Sequence, residues 1–413
     1  MSLGAKKILV LTSAHLCRNP RVVKEATTLG QAGYDVTVMS VSAQERFERL
    51  DRELMRGLPF GRLTLDYTGG SRRSRVSDFA QRGATWGARL LCRTLGVETA
   101  QTLGPAAALL QFARSFPADL TLVHTEIPIW AAQHLIRDGR RVAVDVEDWY
   151  SEDLLFADRR GRPVRLLRQA EDFVLNRAAF SFATSHSMAD ALVAAFRCPR
   201  PRVVRNVFPL QPAPRPERTV AGGPPAFIWF SQTIGPGRGL ELLLSAWART
   251  TAPSRVFLLG DERAGFGDAL RRRLPAARRG DLHFIPSVTP EQLPGKLAEF
   301  DIGLALEPRH PVNRNITITN KLFQYLNAGL AVVATDTAGQ TEVMRAAPDT
   351  GLLVQPHETT RLARQLDELI ANPSRLRAMQ AAARAAAARE FCWEREAPVL
   401  LEAVAQSLAA PSP

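Results

Sequence analysis

Short apolar strands recur along this chain, each running into a loop and then a helix, and that alternation admits few folds. Lys6–Ser13 reads Lys-Lys-Ile-Leu-Val-Leu-Thr-Ser, a buried strand emerging into a loop. Val22–Gln31 then has helical periodicity, and Asp35–Val41 is a second strand. Parallel neighbours need a crossover, which a helix supplies, so this spacing begins a parallel α/β sheet. Further strands fall at Asp119–His124, Arg141–Val146, Phe180–Ser185 and Val203–Asn206. A second series runs through Ala226–Phe230, Val256–Gly260, Leu282–Pro286, Asp301–Leu306 and the apolar run 330–335. Between the two lies Phe208–Pro225, rich in proline and glycine without apolar periodicity, which reads as a linker. At 413 residues, 46% hydrophobic and 23% charged, the chain suits two domains with a core each. The expected organisation is a first domain over 1–207, a linker over 208–225, a second domain over 226–390 and a final segment, mostly helix, over 391–413. No internal sequence repeat is evident, although both halves repeat the α/β pattern.

Composition narrows the function. The four cysteines, at 17, 92, 198 and 392, lie far apart without a paired or Cys/His arrangement, so neither a zinc site nor a disulfide framework is expected. No apolar run reaches bilayer-spanning length, and Met1–Lys7 lacks the apolar core of a signal peptide. A cytoplasmic protein is expected. The formal net charge is +12, nearly all from arginine, which attracts polyanions: nucleic acid, an anionic membrane leaflet or phosphorylated substrates. Basic residues are not interleaved with stacking aromatics and no nucleic-acid motif is present, so nucleic acid is not an expected partner. Residues 42–104 read as the least regular stretch, with a helix-like run over 76–95. There Arg75, Arg82 and Arg89 recur every seven residues, with Arg93 one turn on. This is either an element lying on a membrane surface or the solvated face of an ordinary packed helix.

Three places carry candidate chemistry. Asn320–Gly329 reads as a helix, with Asn320 as its cap, Leu322, Phe323 and Leu326 as an apolar face and Gly329 ending it. Its first turn presents unpaired N–H groups, and Lys321 adds a full charge there, a place for an anion such as a diphosphate. Ser231–Gly239, ending Gly-Pro-Gly-Arg-Gly, lies between a strand and a helix. Gly237 lets the backbone approach phosphate oxygens, and Arg238 can bind two of them in a fork. In the first half, strands end in His124-Thr125-Glu126 and in Glu147-Asp148, delivering acidic and imidazole groups to the edge where parallel sheets build sites. These carboxylates either act on a ligand or cap the following helices. Arg18 and Arg21, in Cys17-Arg18-Asn19-Pro20-Arg21, are candidates for an anionic part of acceptor or donor, or simply flank a proline-started helix.

The segment Asn-Lys-Leu-Phe-Gln-Tyr-Leu-Asn-Ala-Gly-Leu-Ala-Val-Val-Ala-Thr (320–335) resembles the donor-site segment of family 4 glycosyltransferases, the retaining group with the GT-B fold. The similarity runs from Lys6 to about Val399 and is strong in the second half. It implies two Rossmann-like doubly wound domains facing a cleft, the first holding the acceptor and the second the nucleotide sugar, with the last helix returning to the first domain. It also implies transfer of a hexosyl or N-acetylhexosaminyl unit from a nucleoside diphosphate sugar to a glycan, glycolipid or small-molecule hydroxyl, in bacterial polysaccharide or glycoconjugate synthesis. Asn320, Lys321, Gln324, Gly237, Arg238 and Glu342 are then donor-binding, and Glu126, Glu147 and Asp148 catalytic. No cofactor is implied, and with no Asp-x-Asp pair in a donor loop no metal is expected; peripheral attachment at the inner membrane face is compatible. The family's Glu-x7-Glu pair is replaced by Ile316 and Gln324, and its histidines in the two first-domain loops by Glu126 and Glu147. A nucleotide-sugar 2-epimerase of the same fold and a catalytically silent nucleotide-sugar-binding protein are the alternative readings.

Overall fold

The computed structural model describes residues 5–69, 72–212 and 223–411. Gly70, Ser71, residues 1–4 and the 213–222 part of the expected linker lie outside them. The chain divides into two compact units, one of Met1–Val204 with Ala397–Pro413, the other of Arg205–Glu396. No helix among the described residues is long and apolar enough to cross a membrane.

The first unit is built on a parallel sheet of β1 (Lys7–Leu11), β2 (Asp35–Ser42), β3 (Gly61–Asp66), β4 (Leu120–His124), β5 (Val142–Val146), β6 (Ser181–Ala183) and β7 (Arg202–Val203), in the order β3-β2-β1-β4-β5-β6-β7. β4 and β5 are buried at every position, as expected where helices cover both faces. Residues 42–104 are more regular than expected, holding the helix Glu45–Leu54, β3 and the helix Arg72–Leu95. β3 has no fully buried position, so its apolar signal is weak. Its strand state comes from pairing with β2, Thr37 opposite Gly61 through Ser42 opposite Asp66.

The second unit holds β8 (Ala226–Ile234), β9 (Arg255–Glu262), β10 (Leu282–Ile285), β11 (Ile302–Ala305), β12 (Ala331–Thr335) and β13 (Gly351–Val354), all parallel, in the order β10-β9-β8-β11-β12-β13. Its core gathers Trp229, Trp247, Leu304, Val333 and Leu366, among others. β8 runs beyond the expected Phe230 to Ile234, with a register shift against β9 between Phe230 and Thr233. β13 has no counterpart in the sequence reading. It begins at Gly351, where a Cβ would sit 1.8 Å from the Val332 carbonyl oxygen, so its pairing needs a bare backbone.

In each sheet the strand order reverses once, between β1 and β4 and between β8 and β11. Loops leaving such a pair diverge to opposite faces and open a crevice at the carboxyl ends, where open α/β sheets bind ligands.

Candidate functional site

In the second unit, three segments meet at the β8/β11 reversal. The glycine loop after β8 turns through Gly237 and Gly239 with φ of 71° and 78°. At Gly239 a Cβ would lie 2.1 Å from the carbonyl oxygen of Leu306, just past β11, so glycine is required both by conformation and by contact. The helix Asn320–Ala328 is seated on β11 by Tyr325, whose hydroxyl donates to the Leu304 carbonyl at 3.3 Å and whose ring occupies the space of any side chain at 303. Gly329 closes the helix with φ 72°, as the sequence indicates. Its N-cap is Thr319, without a side-chain cap bond, and Asn320 is the first helical residue.

Seating the helix this way brings Lys321 to Glu307, the residue after Leu306. Lys321 Nζ donates to Glu307 Oε1 at 2.6 Å, Arg314 Nη1 to Oε2 at 3.4 Å, and Lys321 lies 5.4 Å from the ring centroid of Trp229 on β8. Burial pushes the Glu307 carboxyl up, but the charge and hydrogen bond of Lys321 and the charges of Arg314 and Arg238 outweigh it and hold the pKa below the usual range. Three cations therefore face one carboxylate. Arg238 itself donates to Ser231 Oγ at 3.3 Å. Gln324 shares the Lys321 face one turn on and is buried at 7% exposure, and Ile316 is buried as well. Glu342 is half-buried on the helix Ala338–Ala346, whose first turn is capped by Thr337 Oγ1 accepting from the Gln340 amide at 3.4 Å.

In the first unit, the β1/β4 reversal is closed by Ser13 and Thr125, whose hydroxyls lie 2.8 Å apart while the Ser13 amide donates to Thr125 Oγ1 at 3.0 Å. Thr125 has φ 66°, a strained value for a β-branched residue, and such strain concentrates at functional sites. It sets Glu126 at the start of the helix Glu126–Arg137, where Arg162 donates to its carboxylate. Ser13, Thr125, Glu126, Tyr150 and Arg162 help to line a cavity of about 320 Å³.

Beside this cavity lies a buried charge network. Glu147 Oε1 is 2.9 Å from Nδ1 of His124 and accepts from Asn19 Nδ2 at 2.9 Å. The other ring nitrogen of His124 is 3.3 Å from Glu25 Oε2. Arg21 bridges Glu25 at 3.2 Å and Asp145 at 2.5 Å and donates to the Val204 carbonyl at 2.8 Å. Burial pushes the His124 imidazole down, but the charge of Glu25, the hydrogen bond to Glu147 and the charge of Asp145 raise it to about 10, so the ring is cationic at neutral pH. Burial, helped by Asp145, raises Glu25 to about 7 against Arg21 and His124. Asp145 is penalised by burial but held low by Arg21 and His124. Arg21 is fully buried, so its guanidinium serves this interior network rather than an exposed anion site. Arg18 is exposed and stacks 4.8 Å from the Phe47 ring centroid. Asp148, next to Glu147, is half-buried.

Two groups among the described residues bring three metal-capable side chains within 4.8 Å, His15–Glu48–Asp51 and Glu25–His124–Asp145. Arg62 bridges Glu48 and Asp51, and Arg21 bridges Glu25 and Asp145, so in both places a guanidinium supplies the positive charge.

The glycine loop and the cation cluster both lie in a segment that matches a known family model. Residues 224–372 match the family model for glycosyl transferases group 1. Solved structures extend the likeness over both units. Sucrose-phosphate synthase from Thermosynechococcus elongatus superposes with a TM-score of 0.73 at 15% identity, over 98% of this chain and 100% of that one. A glycosyltransferase from Rickettsia africae gives 0.67 at 14%, over 98% and 100%. Anabaena HepE, solved in complex with UDP-glucose, gives 0.67 at 18%, over 97% and 99%. No curated protein sequence matches the chain. The fold is GT-B, with two Rossmann-like units.

Within this GT-B chain, sequence reasoning passed over Glu307, Glu25 and Asp145. Each left a signal. Glu307 directly follows a buried strand, Asp145 interrupts Val-Ala-Val-Asp-Val, and Glu25 falls on the same helix face as Val22 and Leu29. An acid on an apolar face is buried only with a partner, and the partners come from other elements.

Proposed function

We propose that the chain is a retaining glycosyltransferase that moves a hexosyl or N-acetylhexosaminyl unit from a nucleoside diphosphate sugar to an acceptor hydroxyl, in polysaccharide, glycolipid or glycoconjugate synthesis. The observation that carries this reading is the cation cluster of Arg238, Arg314 and Lys321 around Glu307 at the β8/β11 reversal, inside the segment that matches the group 1 model. A donor diphosphate brings two charges to backbone amides of the glycine loop and the first turn of the Lys321 helix, and its oxygens share Lys321 with Glu307. Such preorganised cations stabilise the leaving diphosphate as the glycosidic bond breaks. Gln324 offers an amide oxygen and an amide NH₂ to a ribose diol, Asn320 adds a polar group in the same first turn, and Glu342 lies on the neighbouring helix. In the first unit Glu126, Glu147 and Asp148 offer acceptor-side carboxylates, and the contacts of Glu147 with His124 and Asn19 fix its carboxyl group in place beside the acceptor. HepE, solved with UDP-glucose, supports a nucleotide sugar as the donor class.

Calorimetric titration with UDP-, GDP- and dTDP-sugars tests the donor site. A charged hydrogen bond to phosphate contributes roughly 1.5–3 kcal/mol, so Arg238→Ala or Lys321→Ala weakens donor binding about tenfold or more. Unchanged affinity in both variants overturns the assignment.

A further inference from the structure

The helix Arg72–Leu95 turns a continuous apolar face to solvent. Val76, Phe79, Trp86 and Leu90 are 67%, 83%, 69% and 44% exposed, and at 100° per residue they fall, with Gly83 and Gly87, on one stripe. Leu91 and Leu95, also exposed, widen it towards the C-terminal end. The opposite face is the anchored one. Cys92 is buried and its sulfur donates to the Arg162 carbonyl at 3.6 Å, and Arg89 donates to the Thr102 carbonyl at 3.2 Å. The stripe is therefore a surface of the folded unit and not a core face seen before packing.

Charge decides what covers it. The helix sequence has six arginines and one aspartate, and Asp78 is paired with Arg82 at 2.6 Å. Arg75, Arg82 and Arg93 lie along one border of the apolar stripe, about two and three turns apart. A second copy meeting this face would set arginine rows against each other. A row of guanidinium groups beside a stripe holding Phe and Trp matches a layer of anionic headgroups over acyl chains. At 24 residues the helix is about 36 Å long, enough to lie across many lipids, and it is too polar to span the bilayer.

We propose that this helix docks the first unit on an anionic phospholipid surface, with Phe79 and Trp86 entering the headgroup layer and Arg75, Arg82 and Arg93 meeting lipid phosphates. The inference is independent of the donor assignment, since it concerns a different face and needs no nucleotide.

Full-length protein is sedimented with vesicles of phosphatidylglycerol and phosphatidylcholine, and with phosphatidylcholine alone, at low and high salt. The expected result is pelleting with the anionic vesicles only, reversed by salt. Each arginine near such a surface contributes roughly fivefold in partition, so Arg82→Ala with Arg93→Ala lowers binding about 25-fold. Phe79→Ser with Trp86→Ser lowers it comparably while the far-UV circular dichroism and the thermal unfolding midpoint, checks on folding, are unchanged. Equal recovery in the supernatant with both vesicle types overturns the proposal. So does vesicle binding undiminished in the Phe79→Ser/Trp86→Ser variant, or a dimer in velocity sedimentation that this variant abolishes.

Discussion

His124→Asn examines whether the buried network of the first unit is a charged one. Asparagine keeps a donor for Glu147 but removes the cation that also faces Glu25 and Asp145. Removing one partner of a buried ion pair leaves an uncompensated charge and costs about 3–5 kcal/mol. The raised imidazole pKa leads to the same magnitude: moving from the ordinary 6.5 to about 10 corresponds to roughly 5 kcal/mol. Because the folded value lies above the unfolded one, this contribution is fully present below about pH 6.5 and is lost as pH rises through about 10. Glu25, raised to about 7, acts in the same sense at lower pH: its contribution is present below the ordinary carboxyl value and lost as pH rises through 7. The His124 contribution therefore weakens on alkalinisation, opposed by Lys24, which burial lowers to about 7 and whose penalty is relieved over the same range, and the variant loses only the His124 part. Urea unfolding read by pulse proteolysis, with first-unit peptides quantified by mass spectrometry, measures this near neutral pH and near pH 10. The variant is about 3–5 kcal/mol less stable at neutral pH, and the gap narrows towards pH 10. A gap under about 1 kcal/mol, or one of equal size at both pH values, refutes a cationic His124.

Gln324→Glu restores an ionised acceptor on the Lys321 face and is expected to tighten nucleotide-sugar binding by up to about tenfold, the difference between neutral and charged hydrogen bonds; an unchanged affinity that Gln324→Ala also leaves unchanged removes residue 324 from the donor site. Transfer is expected to persist in excess EDTA, with arginine, lysine and helix N-termini stabilising the diphosphate. A strict requirement for added Mg²⁺ or Mn²⁺ excludes that role for the protein's own cations.

The repeating strand, loop and helix pattern, the two-part division and the sheet-edge position of Arg238, Lys321, Glu126 and Glu147 were all legible in the chain. These are local matters: a buried parallel strand is a short β-branched run, and glycine marks a turn whatever surrounds it. β3 and β13 were not legible. One is half-buried along its length and the other begins on a glycine, so their strand state depends on pairing with β2 and β12.

By itself the sequence determined the α/β class, the helix that Gly329 ends and the concentration of arginine that gives a net charge of +12. Only the tertiary structure decided what those charges face. Arg21 and Lys321 look equally available in the sequence, yet Arg21 is locked between Glu25 and Asp145 inside the first unit, whereas Lys321 meets Glu307 at a strand reversal with two more cations near. The arginines of the helix Arg72–Leu95 likewise took on meaning only when Phe79 and Trp86 proved to lie beside them, exposed. Partners in an ion pair come from elements far apart in sequence, and burial depends on which helix face packs, so neither can be read from local pattern.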